Sequence, residues 1–145
     1  MTIRDAAQND LPWLLRLYAQ FGKDAMAEDD GRADAIWRAI LADKNHHVIV
    51  AAAEEAVVSS CVLVIVPNLT HGGRPYGLIE NVITDERHRR QGLGLAVMRF
   101  AAELAVRENC YKLMLMTGSK QDGTLRFYEQ AGYNRTDKTA FVRWL

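Results

Sequence analysis

A carboxylate at Glu80, arginines at Arg87, Arg89 and Arg90, glycines at Gly92 and Gly94, and a phenol at Tyr128 are the residues here whose types and spacing could do chemistry. Residues 79–84 are apolar and largely β-branched apart from Glu80 and Asn81, which predicts a strand. A charged turn over 85–90 follows, then two glycines flanking Leu93, then a helical pattern from Leu95. The first N–H groups of a helix lack intrahelical partners and carry partial positive charge, so they suit an anion. Gly92 and Gly94 remove side chains that would keep an anion at a distance, and the arginines add charge-assisted contacts. The expected chemistry is the holding of phosphate. Spacing excludes two common designs. A P-loop ends in Gly-Lys-Ser/Thr, whereas Gly94 is followed by Leu95 and Ala96. A dinucleotide fingerprint needs a third small residue where Val97 stands, and a turn that directly abuts its strand.

Arg89-x-x-Gly92-x-Gly94 resembles the Q/R-x-x-G-x-G/A signature of the GNAT N-acetyltransferase superfamily, in which the turn cradles the pyrophosphate of acetyl-CoA. A second stretch, Leu125-Arg-Phe-Tyr-Glu-Gln-Ala-Gly-Tyr133, resembles the superfamily's F-Y-E-x-x-G-F/Y segment. One departure stands beside it: Gln121 and Thr124 occupy positions where many members carry Asn and Ala, so a longer amide replaces the one that meets the cofactor. The resemblance implies acetyl-CoA as cosubstrate, no metal, and direct acetyl transfer to a primary amine of a small molecule or peptide. It also implies that Val82, Ile83 and Thr84 pair with the pantetheine like an added strand. Gln91, Gly92, Leu93, Gly94 and Leu95 would ring the pyrophosphate, with Arg89 at the start of the turn. A non-catalytic acyl-CoA-binding or sensing module of the same fold is the main alternative, and a regulator using the turn for another nucleotide is a second.

Elements must bring these groups together. A strand start over 2–4 leads to a helix capped at Asn9-Asp10, with Pro12 in its first turn and Leu14, Leu17, Tyr18 and Phe21 on its apolar face. A second helix spans 33–41, and two hairpin strands follow at 47–53 and 57–66, joined at Glu54-Glu55. Residues 67–75, rich in glycine and proline, read as a loop. The central strand is 76–84, the third helix 95–109, a short strand 111–116 and the fourth helix 123–131, ended by Gly132. Residues 133–136 and 139–145 are expected to close the chain as two strands. This is one α/β (α+β) domain over residues 1–145, in the order βααβββαβαββ. It is GNAT-like: a mixed, mostly antiparallel seven-stranded sheet flanked by four helices, splayed between strands 4 and 5. The final strands, with Phe141 and Trp144, are the expected contact for a second copy in a homodimer.

A carboxylate inside an apolar strand is costly unless something uses it, so Glu80 is the candidate general base. Desolvation would raise its pKa toward a useful range; the bland alternative is a strand-end carboxylate facing solvent or an arginine. Tyr128 is the candidate general acid, since its phenol and the coenzyme thiol both titrate near ~10; its alternative is a core tyrosine. Arg87 and Arg90 either reach the ribose phosphate of the cofactor or are solvated charge. The acidic residues Asp24, Glu28, Asp29 and Asp30 would suit a cationic amine or simply form a solvated turn. Acceptor specificity is expected from residues 22–35 and the 67–75 loop, including His71.

Composition narrows the partners. The 145 residues carry 18 acidic and 18 basic side chains, which argues against a nucleic-acid platform or a polybasic membrane binder. No apolar run approaches the ~20 residues of a membrane span, and no cationic segment precedes an apolar one at the start, so a cytoplasmic protein is expected. Cys61 and Cys110 lack metal or disulfide spacing and are expected to be reduced core residues.

Overall fold

The computed structural model describes residues 1–26, 31–54 and 56–145; the expectations placed on Glu28, Asp29, Asp30 and Glu55 lie outside that set. Strands β1 (Thr2–Asp5), β2 (His46–Ala53), β3 (Ala56–Val66), β4 (Tyr76–Thr84) and β5 (Leu113–Leu115) form one sheet in chain order. The first three pairings are antiparallel and β4–β5 is parallel. Helices α1 (Leu11–Tyr18) and α2 (Arg32–Ala42) cover one face, where Leu14, Leu17 and Trp37 bury against Val48, Val50, Val62 and Ile83. Helix α3 (Leu93–Arg107) covers the other, with Val97, Met98, Ala101 and Leu104 against Ile49, Cys61, Leu63 and Ile79. Helix α4 (Asp122–Gln130) contributes Phe127 and Tyr128 to that second core. Alternation explains the division: β3 sends Cys61, Leu63 and Ile65 to one core and Val62 and Val64 to the other.

The sheet has five strands rather than seven. Residues 133–136 and 139–145 form no strand, and Phe141 and Trp144 are 90% and 91% exposed. A strand needs a neighbour's backbone groups to pair with, and β5 is only three residues long, so no ladder holds this segment.

The expected parting between strands 4 and 5 takes a definite form. β5 pairs with Gly77, Leu78 and Ile79 and goes no further, which leaves Glu80 to Thr84 without a ladder partner on that side. The join is tight where it exists, since a Cβ on Gly77 would collide with the side chains of Leu113 and Leu63. On its other side β4 carries a bulge. Ser60 faces Ile83 and Val62 faces Glu80, so Asn81 and Val82 stand opposite the single residue Cys61. Asn81 adopts the left-handed conformation, φ 50°, which is the conformation of the first residue in a G1-type bulge.

Helix ends follow local chemistry. α4 closes with Gly132 at φ 96°, its N–H bonded to the Glu129 carbonyl and that of Tyr133 to the Tyr128 carbonyl. Asp10 does not cap α1 through its side chain. Instead its buried carboxylate accepts from Arg4 Nη1 and Nη2 at 2.6 and 3.0 Å and from the Ala7 N–H at 2.7 Å, tying β1 to the start of α1. These bonds, led by Arg4, hold the Asp10 carboxyl below the ordinary carboxylate range. Its contribution to stability is complete above the unfolded value near ~4 and disappears as pH falls through the folded one. Asp10→Ala is expected to lower unfolding free energy by about 1–3 kcal/mol at neutral pH. The difference from the unmodified chain should shrink in acid; urea titrations at both pH values measure it.

Candidate active site

Three pieces of chain meet where the sheet opens: the free edge of β4, the start of α3 and the inner face of α4. The bulge at Asn81 decides what β4 presents. Ile79 and Val82 join the core under α3, and Ile83 joins the core under α1 and α2. Glu80 and Asn81 therefore lie together on the α1–α2 face, and both line the same cavity there. Glu80 is exposed rather than buried within its strand, because the bulge places it at the rim. Val82, Ile83 and Thr84 turn their side chains inward, and Thr84 Oγ1 lies 2.7 Å from Ser59 Oγ. What remains on their open side is main chain.

The turn after β4 is built on Asp85. Its carboxylate accepts from the Arg87 N–H at 2.9 Å and from Gln20 Nε2 at 2.8 Å, and lies 3.1 Å from His88 Nδ1. These partners, led by His88, hold its carboxyl below the ordinary value. The Asp85 N–H donates to the Val58 carbonyl at 2.9 Å, at the β2–β3 bulge. Arg89 Nε donates to the Thr84 carbonyl at 3.3 Å, so this guanidinium folds back over the strand end. Arg87 and Arg90 are exposed, and Arg90 is left-handed at φ 60°.

Helix α3 begins at Leu93, two residues earlier than its apolar pattern suggests, with Gly92 as N-cap at φ 78°. The Ala96 N–H bonds the Gly92 carbonyl, which leaves the N–H groups of Leu93, Gly94 and Leu95 without intrahelical acceptors. No side chain caps this end, and its first turn has no acidic residue. The two glycines serve different needs. Gly92 supplies the left-handed turn and faces open space, whereas a Cβ on Gly94 would stand 3.1 Å from Phe127 ring carbons and 3.3 Å from Thr84 Oγ1. Gly94 is therefore where α3, α4 and β4 close on one another.

Tyr128 is half-buried beside Phe127, the two rings 5.1 Å apart and tilted by 69°. Burial, and then the negative charge of Glu80, hold its phenol above the ordinary value. The two candidate catalytic groups thus feel one another across the opening. Gln121 is the exposed N-cap of α4, and no side-chain hydrogen bond caps the helix there.

The cavity beside Glu80 has a volume of about 380 Å³ and lies between α1, α2 and the sheet. Trp37 lines it while donating from Nε1 to the Gln8 carbonyl at 3.2 Å. His46, Tyr18 and Trp37 also line it, although nothing in their sequence context marks them as site residues. Tyr18 and Trp37 sit on apolar helix faces and His46 at the start of β2, and only the packing of α1 and α2 leaves space beside them. Asp24 lines the cavity as well, but the 67–75 loop does not. Instead His71 stacks on Tyr111 at 3.8 Å, and Arg74 donates to the carbonyls of Asn109 and Cys110. That loop is a clamp on the α3–β5 connection rather than a wall of the cavity.

No buried thiol offers a nucleophile, since burial pushes the Cys61 thiol up to about 12 and it donates to the Val97 carbonyl. Among the described residues no group of three or more His, Cys, Asp or Glu is placed to hold a metal ion, and no helix is long and apolar enough to cross a membrane.

Residues 11–133 match the profile of the acetyltransferase (GNAT) family. The chain belongs to that family. A solved structure from Agrobacterium tumefaciens str. C58, named "Putative acetyltransferase", is 38% identical, with 99% of this chain and 100% of that one covered and a TM-score of 0.92. A structure named as a transcriptional regulator from Bacillus halodurans C-125 is 29% identical, with 99% of each chain covered and a TM-score of 0.89. Glucosamine 6-phosphate N-acetyltransferase of Trypanosoma brucei brucei is 37% identical over 79 residues, 54% of this chain and 52% of that protein. The chain thus spans about half the length of that curated relative.

Within this GNAT site the glycines give a direct test. Gly92→Ala should cost about 1–2 kcal/mol through its left-handed backbone. Gly94→Ala should force Phe127 and α3 apart, lowering the melting temperature and weakening coenzyme A binding together. Thermal unfolding paired with calorimetric titration of coenzyme A reads both.

Proposed function

We propose that the chain is an acetyl-CoA-dependent N-acetyltransferase that transfers an acetyl group directly to a primary amine. The observation that carries this reading is the pairing of an uncapped α3 N-terminus with the unpartnered edge of β4. The free N–H groups at the start of α3 suit a pyrophosphate. Arg89, Arg90 and Gln91 flank them, and Gln121 offers an amide from the start of α4. The main chain of Val82, Ile83 and Thr84 suits the amides of a pantetheine arm, which would add to the sheet as a strand does. Both features fit the ligand that the family generally uses.

Acetyl-CoA, when bound, supplies an acyl group activated by attachment to sulfur. A main-chain N–H on the open edge near Val82 polarises the carbonyl being attacked; such a donor is worth roughly 3–4 kcal/mol in comparable sites. Glu80, exposed at the rim, accepts the proton that the amine sheds, directly or through water. Tyr128 delivers its phenolic proton to the departing sulfur. Its raised pKa keeps that proton in place at neutral pH, so the phenol is still protonated when the thiolate leaves and needs it.

A second reading draws on the 29% identical structure named as a transcriptional regulator: a coenzyme-binding module without turnover. Kinetics separate the two. Tyr128→Phe is expected to lower kcat by about 10²–10³ while leaving coenzyme A affinity unchanged. Because the Glu80 charge helps to raise the Tyr128 pKa, Glu80→Gln should also move the alkaline limb of the pH–rate profile downward. Coenzyme A binding with no thiol released from any amine in a broad library would favour the module.

A further inference from the structure

The cavity beside Glu80 has walls of one chemical kind. Leu14, Phe21, Ile36, Trp37, Val48 and Val62 are among the apolar residues that line it, and neither lysine nor arginine lines it among the described residues. The groups that carry charge around it are the carboxylates of Asp24 and Glu80. His46, the remaining titratable base on the lining, has an imidazole that burial holds below its ordinary value; the charge of Asp43 opposes that shift and His47 adds to it. At neutral pH it is uncharged, so the cavity presents two negative charges over an apolar interior.

Within the lining Tyr18 is the one phenol. Its hydroxyl is buried without a hydrogen-bond partner, as is that of Ser60; the two influence one another but do not meet hydrogen-bond geometry. Both hydroxyl oxygens are closed off from the open space, so the polar groups a ligand meets are Asp24, His46, Glu80 and Asn81 among otherwise apolar walls. The cavity lies against the stretch of β4 that has lost its neighbour, and Glu80 belongs to both.

From this we infer that the acceptor is a primary amine carried on an apolar body, an aryl-alkyl or alkyl amine, rather than a phosphorylated or polyhydroxylated amino sugar. The inference rests on the acetyltransferase reading and names the substrate class of that site. A cationic ammonium is drawn to Asp24 and Glu80, while the apolar walls favour its neutral, nucleophilic form as it enters. Each methylene that the walls remove from water contributes roughly fourfold in affinity. A sugar phosphate meets the opposite conditions. Its phosphate faces two carboxylates with no cation, and its hydroxyls lie against Leu, Val and Ile side chains that cannot replace their hydrogen bonds to water. The partial likeness to a glucosamine 6-phosphate N-acetyltransferase therefore does not extend to the acceptor.

The test measures kcat/KM by thiol release from acetyl-CoA with 2-phenylethylamine, hexylamine, glucosamine and glucosamine 6-phosphate. It also measures 2-phenylethylamine binding by calorimetry on the chain saturated with coenzyme A. The two apolar amines are expected to exceed both sugars by about a hundredfold. Ile36→Lys, at a wall position that is 47% exposed and so tolerates the change, should weaken 2-phenylethylamine binding by about tenfold or more through charge repulsion. Coenzyme A affinity should not change. Preference for glucosamine 6-phosphate overturns the inference while leaving the acetyltransferase reading intact. Binding of 2-phenylethylamine that Ile36→Lys weakens, without thiol release from any amine, supports the ligand class and overturns the catalytic reading instead. Absence of 2-phenylethylamine binding overturns the inference outright.

Discussion

Backbone polar groups must be satisfied, and β4 meets that demand on one side only. From Glu80 to Thr84 the strand has β3 beside it but no β5, because the parallel ladder stops at Ile79. Much of the molecule maintains this half-finished edge. Gly77 allows Leu113 and Leu63 to close tightly over the paired end, so the opening starts at a fixed place. Phe127 wedges against Gly94 and ties α4 to the start of α3 across the gap. Cores on both faces hold the sheet itself rigid. The edge is available to a ligand because the surrounding packing, rather than a neighbouring strand, keeps β4 in place.

A single bulge couples that edge to the two sides of the site. Without the extra residue at Asn81, strict alternation would place Asn81 on the α3 face and Val82 on the α1–α2 face. The bulge instead leaves Glu80 and Asn81 together above the cavity and returns Val82 to the core under α3. The electrostatics follow the same division. Arginines and free helix N–H groups lie beyond Asp85, and the carboxylates of Asp24 and Glu80 lie on the side of the cavity. Tyr128 stands between them, its phenol raised by burial and by Glu80.

Much of this was legible in the sequence where one element carries its own signal. The bounds of β4, the Gly92 turn, the Gly132 helix stop and the apolar stripe of α3 all follow from local rules of backbone and periodicity. What could not be read depends on partners distant in sequence. Asn81 gives no local sign that two residues will face Cys61. Gly92 and Gly94 look alike as letters, yet one is needed for its φ and the other for the space Phe127 occupies. Asp10 looks like a helix cap until Arg4 claims its oxygens. Residues 139–145 alternate well enough for a strand, but alternation without a neighbouring ladder does not make one. His46, Tyr18 and Trp37 became site residues only through the gap that α1 and α2 leave above the sheet.

The central claim is that two sets of main-chain N–H groups, on residues 82–84 and 92–95, form one binding surface for coenzyme A. Amide hydrogen exchange, resolved to those residues with and without saturating coenzyme A, tests it most directly. Slowed exchange at both stretches, with little change at residues 67–75, is the predicted result. Unchanged exchange at either stretch under saturation, or protection confined to other parts of the chain, would contradict it.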